Sequence, residues 1–497
     1  MNLDLFRPEL TLLVTAIAVV LVDLFVKRKG VLTVLSILGL VVSAVFACLL
    51  RNEGAQGVFG NMVVVDNFAI FFKLLFAGIG VFVILMSADY VSKFKDFHGE
   101  YHALVLLAIL GLTLMASTGE LITIYISLEL ASLSLYALSG FLKDEKSTES
   151  AVKYMLLGAA SSAVLLYGMA LIYGFTGTTQ LGAISTAIQD SGVQTIMDAP
   201  GLLAGIVMLI AGFGFKIAAV PFQLWVPDVY EGAPTPIVAL LSVGSKAAGF
   251  ALVLRVFFTA FEFPDWLSLD WGTVFAILAA IGMTVGNVSA IAQGNIKRLL
   301  GYSSIAQAGY LLVGVATLGM APADEIIGRS GILFFLFGYA LANLGAFAAI
   351  IAISNKTNSD EIKDYAGMGK RAPVLALALT VSLVSLIGMP PAAGFVGKFY
   401  IFSGAMNVVG RTADGEPRNL LLWLVIVAVI NSVISAFYYL RVVKAMWFNE
   451  PTSTEKVPAS GVLRLTLVLT TLGVLFVGIA PGLVLKLAEW AAQMFGT

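Results

Sequence analysis

The chain has little charge, little cysteine and little histidine, and each shortage closes off a class of function. Charged residues make up 12% of its 497 positions, against about 25% in a soluble domain, while 59% are apolar and mean hydropathy is +0.96. The formal net charge is −1, so the chain lacks the basic excess that nucleic acid demands of a partner. A single cysteine, Cys48, excludes a disulfide framework and a cysteine-held iron–sulfur cluster. The two histidines, His98 and His102, stand beside a charged loop. Their spacing could hold a metal, but at a helix start on the surface they read as solvated side chains, and a bis-histidine haem is disfavoured on the same count. Neither G-x-G-x-x-G nor G-x-x-x-x-G-K-[ST] occurs, so no nucleotide-binding domain is encoded.

What the chain has is apolar length. Runs of about 18–25 residues, enough to cross a bilayer as helix, fall near 9–26, 31–50, 66–87, 101–117, 119–141, 150–175, 201–224, 235–258, 271–292, 299–320, 330–354, 373–408, 420–440 and 461–488. They predict an all-α integral membrane protein of about fourteen spans. No soluble domain fits between them; the longest connections, about 176–200 and 441–460, are short. The first run ends in "KRKG" rather than in a small-residue cleavage site, so it reads as a transmembrane helix and not as a signal peptide. Lys and Arg in alternating loops test the count. Eighteen fall in one set of loops, among them Lys27, Lys93, Lys95, Lys143, Lys297 and Lys363, and six in the other. The asymmetry puts the richer set in the cytoplasm and both termini outside.

Five basic residues remain inside spans: Lys73, Lys216, Lys246, Arg255 and Lys398. Glu129 joins them in "YISLELASLSLYALSG". A charge at a helix centre costs about 2.5–3.5 kcal/mol on insertion scales, so chance placement is disfavoured. Lys73 and Arg255 lie near span ends or can snorkel, and read as structural. At about 1.5 Å per residue, Lys216 lies roughly 21 Å into its span and Lys246 roughly 15 Å into the next, near the middle of a core about 30 Å thick. Static ion pairs that fix helix packing are the plain reading. A proton or ion path is the stronger one, because intramembrane ionisable groups line such paths.

Proline supports the second reading. In "GFGFKIAAVPFQLWVPDVYEGAPTPIVAL", residues 212–240, Lys216 is followed by Pro221, Pro227, Pro234 and Pro236. Proline removes a backbone hydrogen bond and crowds the preceding turn, and freed backbone groups at membrane depth need protein or water to satisfy them. "SLIGMPPAAGFVGKFY" repeats the device with Pro390, Pro391 and Lys398. These segments belong to the seventh and twelfth expected spans, which run in opposite directions, the signature of an inverted repeat. Two five-span units are expected, about 101–258 and 271–447, each a half-channel. The segments around Pro221–Pro227 and Pro390–Pro391 are expected to be non-helical at membrane depth and related by a two-fold axis in the membrane plane. Such breaks admit water and polar groups to the bilayer centre, where a carboxylate moving towards or away from a lysine loads or unloads its proton.

The glutamate in "YISLEL", the lysine before "AAVPFQLWVPDVYEGAPTP", the lysine in "LLSVGSKAAGF" and the stretch "IGMPPAAGFVGKFYIF" together resemble the antiporter-like membrane subunits of respiratory complex I. The resemblance covers nearly the whole chain. These subunits are related to Mrp-type sodium/proton antiporters and come in three kinds, L, M and N. Kind L is longer and carries a lateral helix after its last spans, and kind M typically has a glutamate where this chain has Lys398; what remains resembles kind N. The resemblance implies that Glu129 and Lys216 form a coupled pair in the fifth and seventh spans. It implies further that Lys246 is the connecting lysine of the eighth and Lys398 the terminal lysine of the second half-channel. Lys153, at the cytoplasmic start of the sixth span, matches a further family lysine, although its position alone suggests a solvated charge. The implied function is proton pumping coupled to electron transfer from NADH to quinone, with NADH, FMN, iron–sulfur clusters and quinone all held by partner subunits and no cofactor in this one. The implied partners are subunit M, the small subunit K and the lateral helix of subunit L, in the inner (plasma) membrane of a cell. A stand-alone cation/proton antiporter shares the lysine pattern. A membrane enzyme acting on lipid or isoprenoid substrates would need acidic metal-binding clusters or surface catalytic histidines, which the chain does not offer.

Overall fold

A computed structural model of the chain describes residues 3–52, 54–90, 97–262, 265–320, 326–411, 417–451, 453 and 455–493. In lipid a backbone group has no water to bond, so an apolar run winds into helix and bonds within itself. The helices are α1 Arg7–Asp23, α2 Gly30–Leu49, α3 Asn67–Tyr90, α4 His98–Ala116, α5 Leu121–Ser139, α6 Glu145–Thr176, α7 Leu181–Asp190, α8 Pro200–Ile217, α9 Trp225–Gly232, α10 Thr235–Leu240, α11 Lys246–Ala260, α12 Asp265–Ile291, α13 Ile296–Met320, α14 Ile326–Thr357, α15 Met368–Arg371, α16 Pro373–Ile387, α17 Ala393–Met406, α18 Leu422–Phe448, α19 Gly461–Ile479 and α20 Gly482–Ala492. Among the described residues, thirteen stretches are long and apolar enough to cross a membrane, and the shorter apolar helix α16, followed after a break by α17, stands where the remaining span is expected. The protein is an all-helical multi-pass membrane protein, as its composition requires.

Small elements between the spans escaped the sequence. The connection at 176–200 holds α7, whose Leu181, Ile184, Ser185 and Ile188 face inward, the spacing of one helical face. Two antiparallel hairpins also form, β1 Gln56–Val58 with β2 Val63–Val65 and β3 Val409–Arg411 with β4 Pro417–Asn419. Strands of three residues are too short to display a period.

The loops sort to two ends as the count of spans demands. Among those of the basic-rich set, Lys153 and Arg298 both reach Asp228, at 2.9 and 2.7 Å. Lys297 reaches Asp360 at 3.0 Å and Lys356 reaches Glu455 at 2.8 Å. At the other end Gln180 donates to the Gly60 carbonyl and Asn67 to the Trp490 carbonyl. Lys93 and Lys95 lie outside the described residues.

The centre of the fold is the span Thr235–Ala260, whose apolar window is 100% buried, flanked by Ile296–Met320 at 94%. The window of α2, by contrast, is 33% buried and turns most of its surface outward. This packing corrects three expectations. Lys73 does not snorkel: its Nζ meets Glu9 Oε1 at 2.7 Å, with side chains 2% and 0% exposed. Arg255 does not reach water either; it pairs with Asp66 at 2.5 and 3.1 Å and donates to the Ala116 carbonyl at 2.8 Å. His102 is buried rather than solvated, hydrogen-bonded to the His98 carbonyl at 2.8 Å and to Thr33 Oγ1 at 3.3 Å. Each side chain sits against a neighbouring helix that closes its route to solvent, so a local partner replaces water.

Candidate functional site

The first break lies between α8 and α9. Helix α8 stops at Ile217 because Ala218 turns left-handed, φ 61°, and the chain is non-helical until Trp225. The gap is narrower than the prolines suggested. Pro221 stands inside it, but Pro227 lies in the first turn of α9 and Pro236 in the first turn of α10. A missing N–H needs no partner in a first turn, so these two prolines accompany helix starts. The indole of Trp225 donates to the Phe215 carbonyl at 3.1 Å, satisfying one of the acceptors that a helix end leaves free.

Lys216 sits one residue before that end, 4% exposed, and its Nζ donates to Ser132 Oγ at 3.0 Å. Ser132 lies one turn beyond Glu129 on α5. No direct ion pair joins Glu129 and Lys216 among the described residues. Glu129 Oε1 is buried with no hydrogen-bond partner. Lys216 is thus bonded to a serine on the helix that carries Glu129, and not locked to Glu129 itself.

The second break repeats the arrangement. Helix α16 ends at Ile387, Gly388 takes a left-handed φ of 90°, and α17 begins at Ala393 after Pro390 and Pro391. Lys398, 4% exposed, donates to the Leu386 and Ile387 carbonyls at 3.2 and 2.9 Å and to Ser432 Oγ at 3.5 Å. Its Nζ lies 3.9 Å from the centre of the Tyr310 ring. The last carbonyls of a helix lack partners and carry the negative end of its dipole, so interrupting a span in mid-membrane builds an ammonium site. Glycine is required here: a Cβ on Gly394 would come within 1.9 Å of the Ser385 carbonyl oxygen.

Lys246 lies between the two breaks, 2% exposed, at the start of α11. A π-helical turn, Leu241–Ser245, precedes it; such turns bulge the helix by one residue and often mark working sites. Its Nζ donates to the Ser304 carbonyl on α13 and lies 5.5 Å from the Tyr339 ring. The Ser304 hydroxyl is in turn bonded to Tyr230 and Tyr339, at 3.1 and 3.2 Å. Adjacent Ser303 bonds Tyr439, and Gln307 donates to the Leu386 carbonyl that also holds Lys398. Beyond Tyr310, Asn287 bonds Tyr310, Tyr438 and Asn431, at 3.2, 3.0 and 3.1 Å. Sequence reading missed these neutral groups. The available signal was the presence of Asn and Gln inside apolar spans, which hydrogen-bond between helices.

Lys153 stands apart from this line. Its side chain is 44% exposed and pairs with Glu149 at 2.8 Å and Asp228 at 2.9 Å. With Arg298, Lys146 and Glu231 it lines an open cavity of about 200 Å³ on the basic-rich end. That is the solvated setting its position alone suggested.

The five cations that the sequence placed inside spans divide in two. Lys73 and Arg255 each face a buried carboxylate. Lys216, Lys246 and Lys398 bond only hydroxyls and carbonyls among the described residues. No group of three or more His, Cys, Asp or Glu side chains is placed to hold a metal ion among the described residues.

Residues 118–413 match the family described as NADH:quinone oxidoreductase/Mrp antiporter, TM. The chain is 51% identical, over 99% of its own length and 99% of the relative's, to the NADH-quinone oxidoreductase subunit N of Dehalococcoides mccartyi. It is 33% identical, with a TM-score of 0.79, to a chain of respiratory complex I from Thermus thermophilus with bound aureothin, covering 97% of this chain and 99% of that one. A chain of the Mrp complex from Dietzia sp. has the same fold, with a TM-score of 0.83 at 19% identity, covering 99% of this chain and 97% of the other.

Proposed function

The chain belongs to the subunit N family of the NADH-quinone oxidoreductases, and from that premise we propose that it moves protons through a buried relay of Glu129, Lys216, Lys246 and Lys398. Electron transfer from NADH to quinone takes place in partner subunits, which hold the FMN and iron–sulfur clusters. Subunit M, subunit K and the lateral helix of subunit L are the neighbours this reading assigns to it. Both termini face outside, and the basic-rich loops face the cytoplasm. Residues 101–258 and 271–447 form two inverted half-channels, each interrupted beside a lysine, with Lys246 between them. Lys153 belongs to the charged rim at the cytoplasmic mouth rather than to the buried line.

One observation carries the reading: the three relay lysines lie buried on neutral acceptors, whereas Lys73 and Arg255 are neutralised by carboxylates. An ammonium with a permanent carboxylate partner is held charged. One resting on hydroxyls and carbonyls changes protonation state as a mobile charge approaches or withdraws. Glu129, one turn from the Ser132 hydroxyl that holds Lys216, is placed to supply that charge.

The test is pumping in the intact complex reconstituted into vesicles. Glu129→Ala and Lys216→Met each depress proton transport and the quinone reductase rate coupled to it, with assembly largely retained. Normal transport in both assembled variants would overturn the relay.

A further inference from the structure

Between Lys246 and Lys398 stands a buried amide to which the relay reading assigns no role. Gln307 lies on α13, one turn beyond Ser303 and Ser304, and is 0% exposed. Its Nε2 donates to the Leu386 carbonyl at 2.9 Å and approaches the Tyr439 hydroxyl at 3.4 Å. The Leu386 carbonyl can only accept, so the nitrogen of the amide must face it. That orientation settles two other atoms. The Tyr439 hydroxyl, accepting from Nε2, has its own proton free to donate to Ser303 Oγ, the partner it touches. The Oε1 of Gln307 is turned the other way, buried and without a hydrogen-bond partner.

We propose that Gln307 is a positioning residue of the relay, its amide fixing the Leu386 carbonyl that holds Lys398 and orienting the Tyr439–Ser303 hydroxyls beside the Lys246 acceptor, so that protons cross between the Lys246 and Lys398 halves. The proposal rests on the relay reading above. The position is apt at both ends. The Leu386 carbonyl that Gln307 engages also holds the Lys398 ammonium. The Ser303 that Tyr439 engages adjoins the Ser304 carbonyl that takes the Lys246 ammonium. The carbonyls that hold the two ammoniums accept hydrogen bonds and do not carry protons, so Gln307 acts by fixing where these groups and the neighbouring hydroxyls sit. The amide itself gains and loses nothing; it sets the direction of its neighbours.

The experiment uses the whole complex in vesicles, with Gln307→Leu, Gln307→Glu and Gln307→His beside Lys246→Met, each checked for subunit content. Lys246→Met tests the relay and Gln307→Leu the positioning role. Both lower proton transport by about a hundredfold or more, the lower end for a positioned proton-transfer group. Gln307→Glu and Gln307→His recover most of the transport and shift its pH profile, because each restores hydrogen bonding with a group that titrates. Transport lost in Lys246→Met but normal in Gln307→Leu overturns the proposal and leaves the relay standing. Normal transport in both overturns the relay and the proposal with it. Loss in Gln307→Leu that neither polar variant recovers reduces Gln307 to packing. If Gln307→Leu does not assemble, the polar variants decide alone: an unchanged pH profile in both overturns the proposal.

Discussion

Replacing Lys73 with methionine removes one half of an ion pair that has no other support. Its Nζ and Glu9 Oε1 lie 2.7 Å apart on side chains 2% and 0% exposed, and neither side chain has another hydrogen-bond partner among the described residues. Losing one member of such a pair costs about 3–5 kcal/mol, because the remaining charge stays buried without a partner. Replacing both members with apolar residues of similar volume is neutral or stabilising by about 1–4 kcal/mol. Lys73→Met should therefore lower the thermal stability of the protein sharply, and Glu9→Met with Lys73→Met should restore it. The double-mutant cycle, read from melting in lipid or detergent, isolates the coupling. Helices α1 and α3 lie outside both proposed half-channels, so transport per assembled complex should stay normal in the double variant. Lys73→Met melting like the native protein would refute the reasoning, as would a double variant no more stable than the single one.

Other outcomes follow from the site and the topology. Lys216→Arg should abolish transport with assembly retained. The reference pKa values of the two side chains differ by about 2–3 units, so the neutral form becomes about 10²–10³-fold rarer; near-normal pumping would remove Lys216 from the path. Gly394→Ala places a methyl within 1.9 Å of the Ser385 carbonyl oxygen and should distort the second break enough to impair assembly, which subunit content on a native gel will show; a fully assembled, active variant contradicts the packing described. On a Cys48→Ser background, Lys363→Cys should resist an impermeant thiol reagent applied from outside, and labelling from that face would invert the proposed orientation.

The span count was legible because each run answers to the bilayer alone. The two breaks were legible from proline beside lysine, though their limits were not. Pro227 looks like a breaker in sequence, yet it occupies a first helical turn, and the gap is set instead by the left-handed Ala218 and the Trp225–Phe215 hydrogen bond. Among the candidate site residues, Lys216, Lys246 and Lys398 could be picked out as charges in apolar runs. Ser132, Ser304, Gln307 and Tyr439 could not be linked to them, since a polar group in a helix does not show in sequence which other helix it meets. The partners of Lys153, Glu149 and Asp228, likewise could not be read from the sequence, since one of them lies 75 positions away.

The sequence by itself determined that this is a multi-pass helical membrane protein, that two of its spans are broken beside a lysine, and which cations lie within spans. Those properties depend on local composition: some twenty apolar residues satisfy a bilayer wherever they occur. Only the tertiary structure decided which cations are neutralised and which are left on neutral acceptors. Arg255 finds its carboxylate 189 positions away at Asp66, and Lys246 finds its carbonyl 58 positions away at Ser304. Such partners are chosen by which helix faces meet, and a buried charge acquires its character from what it meets there.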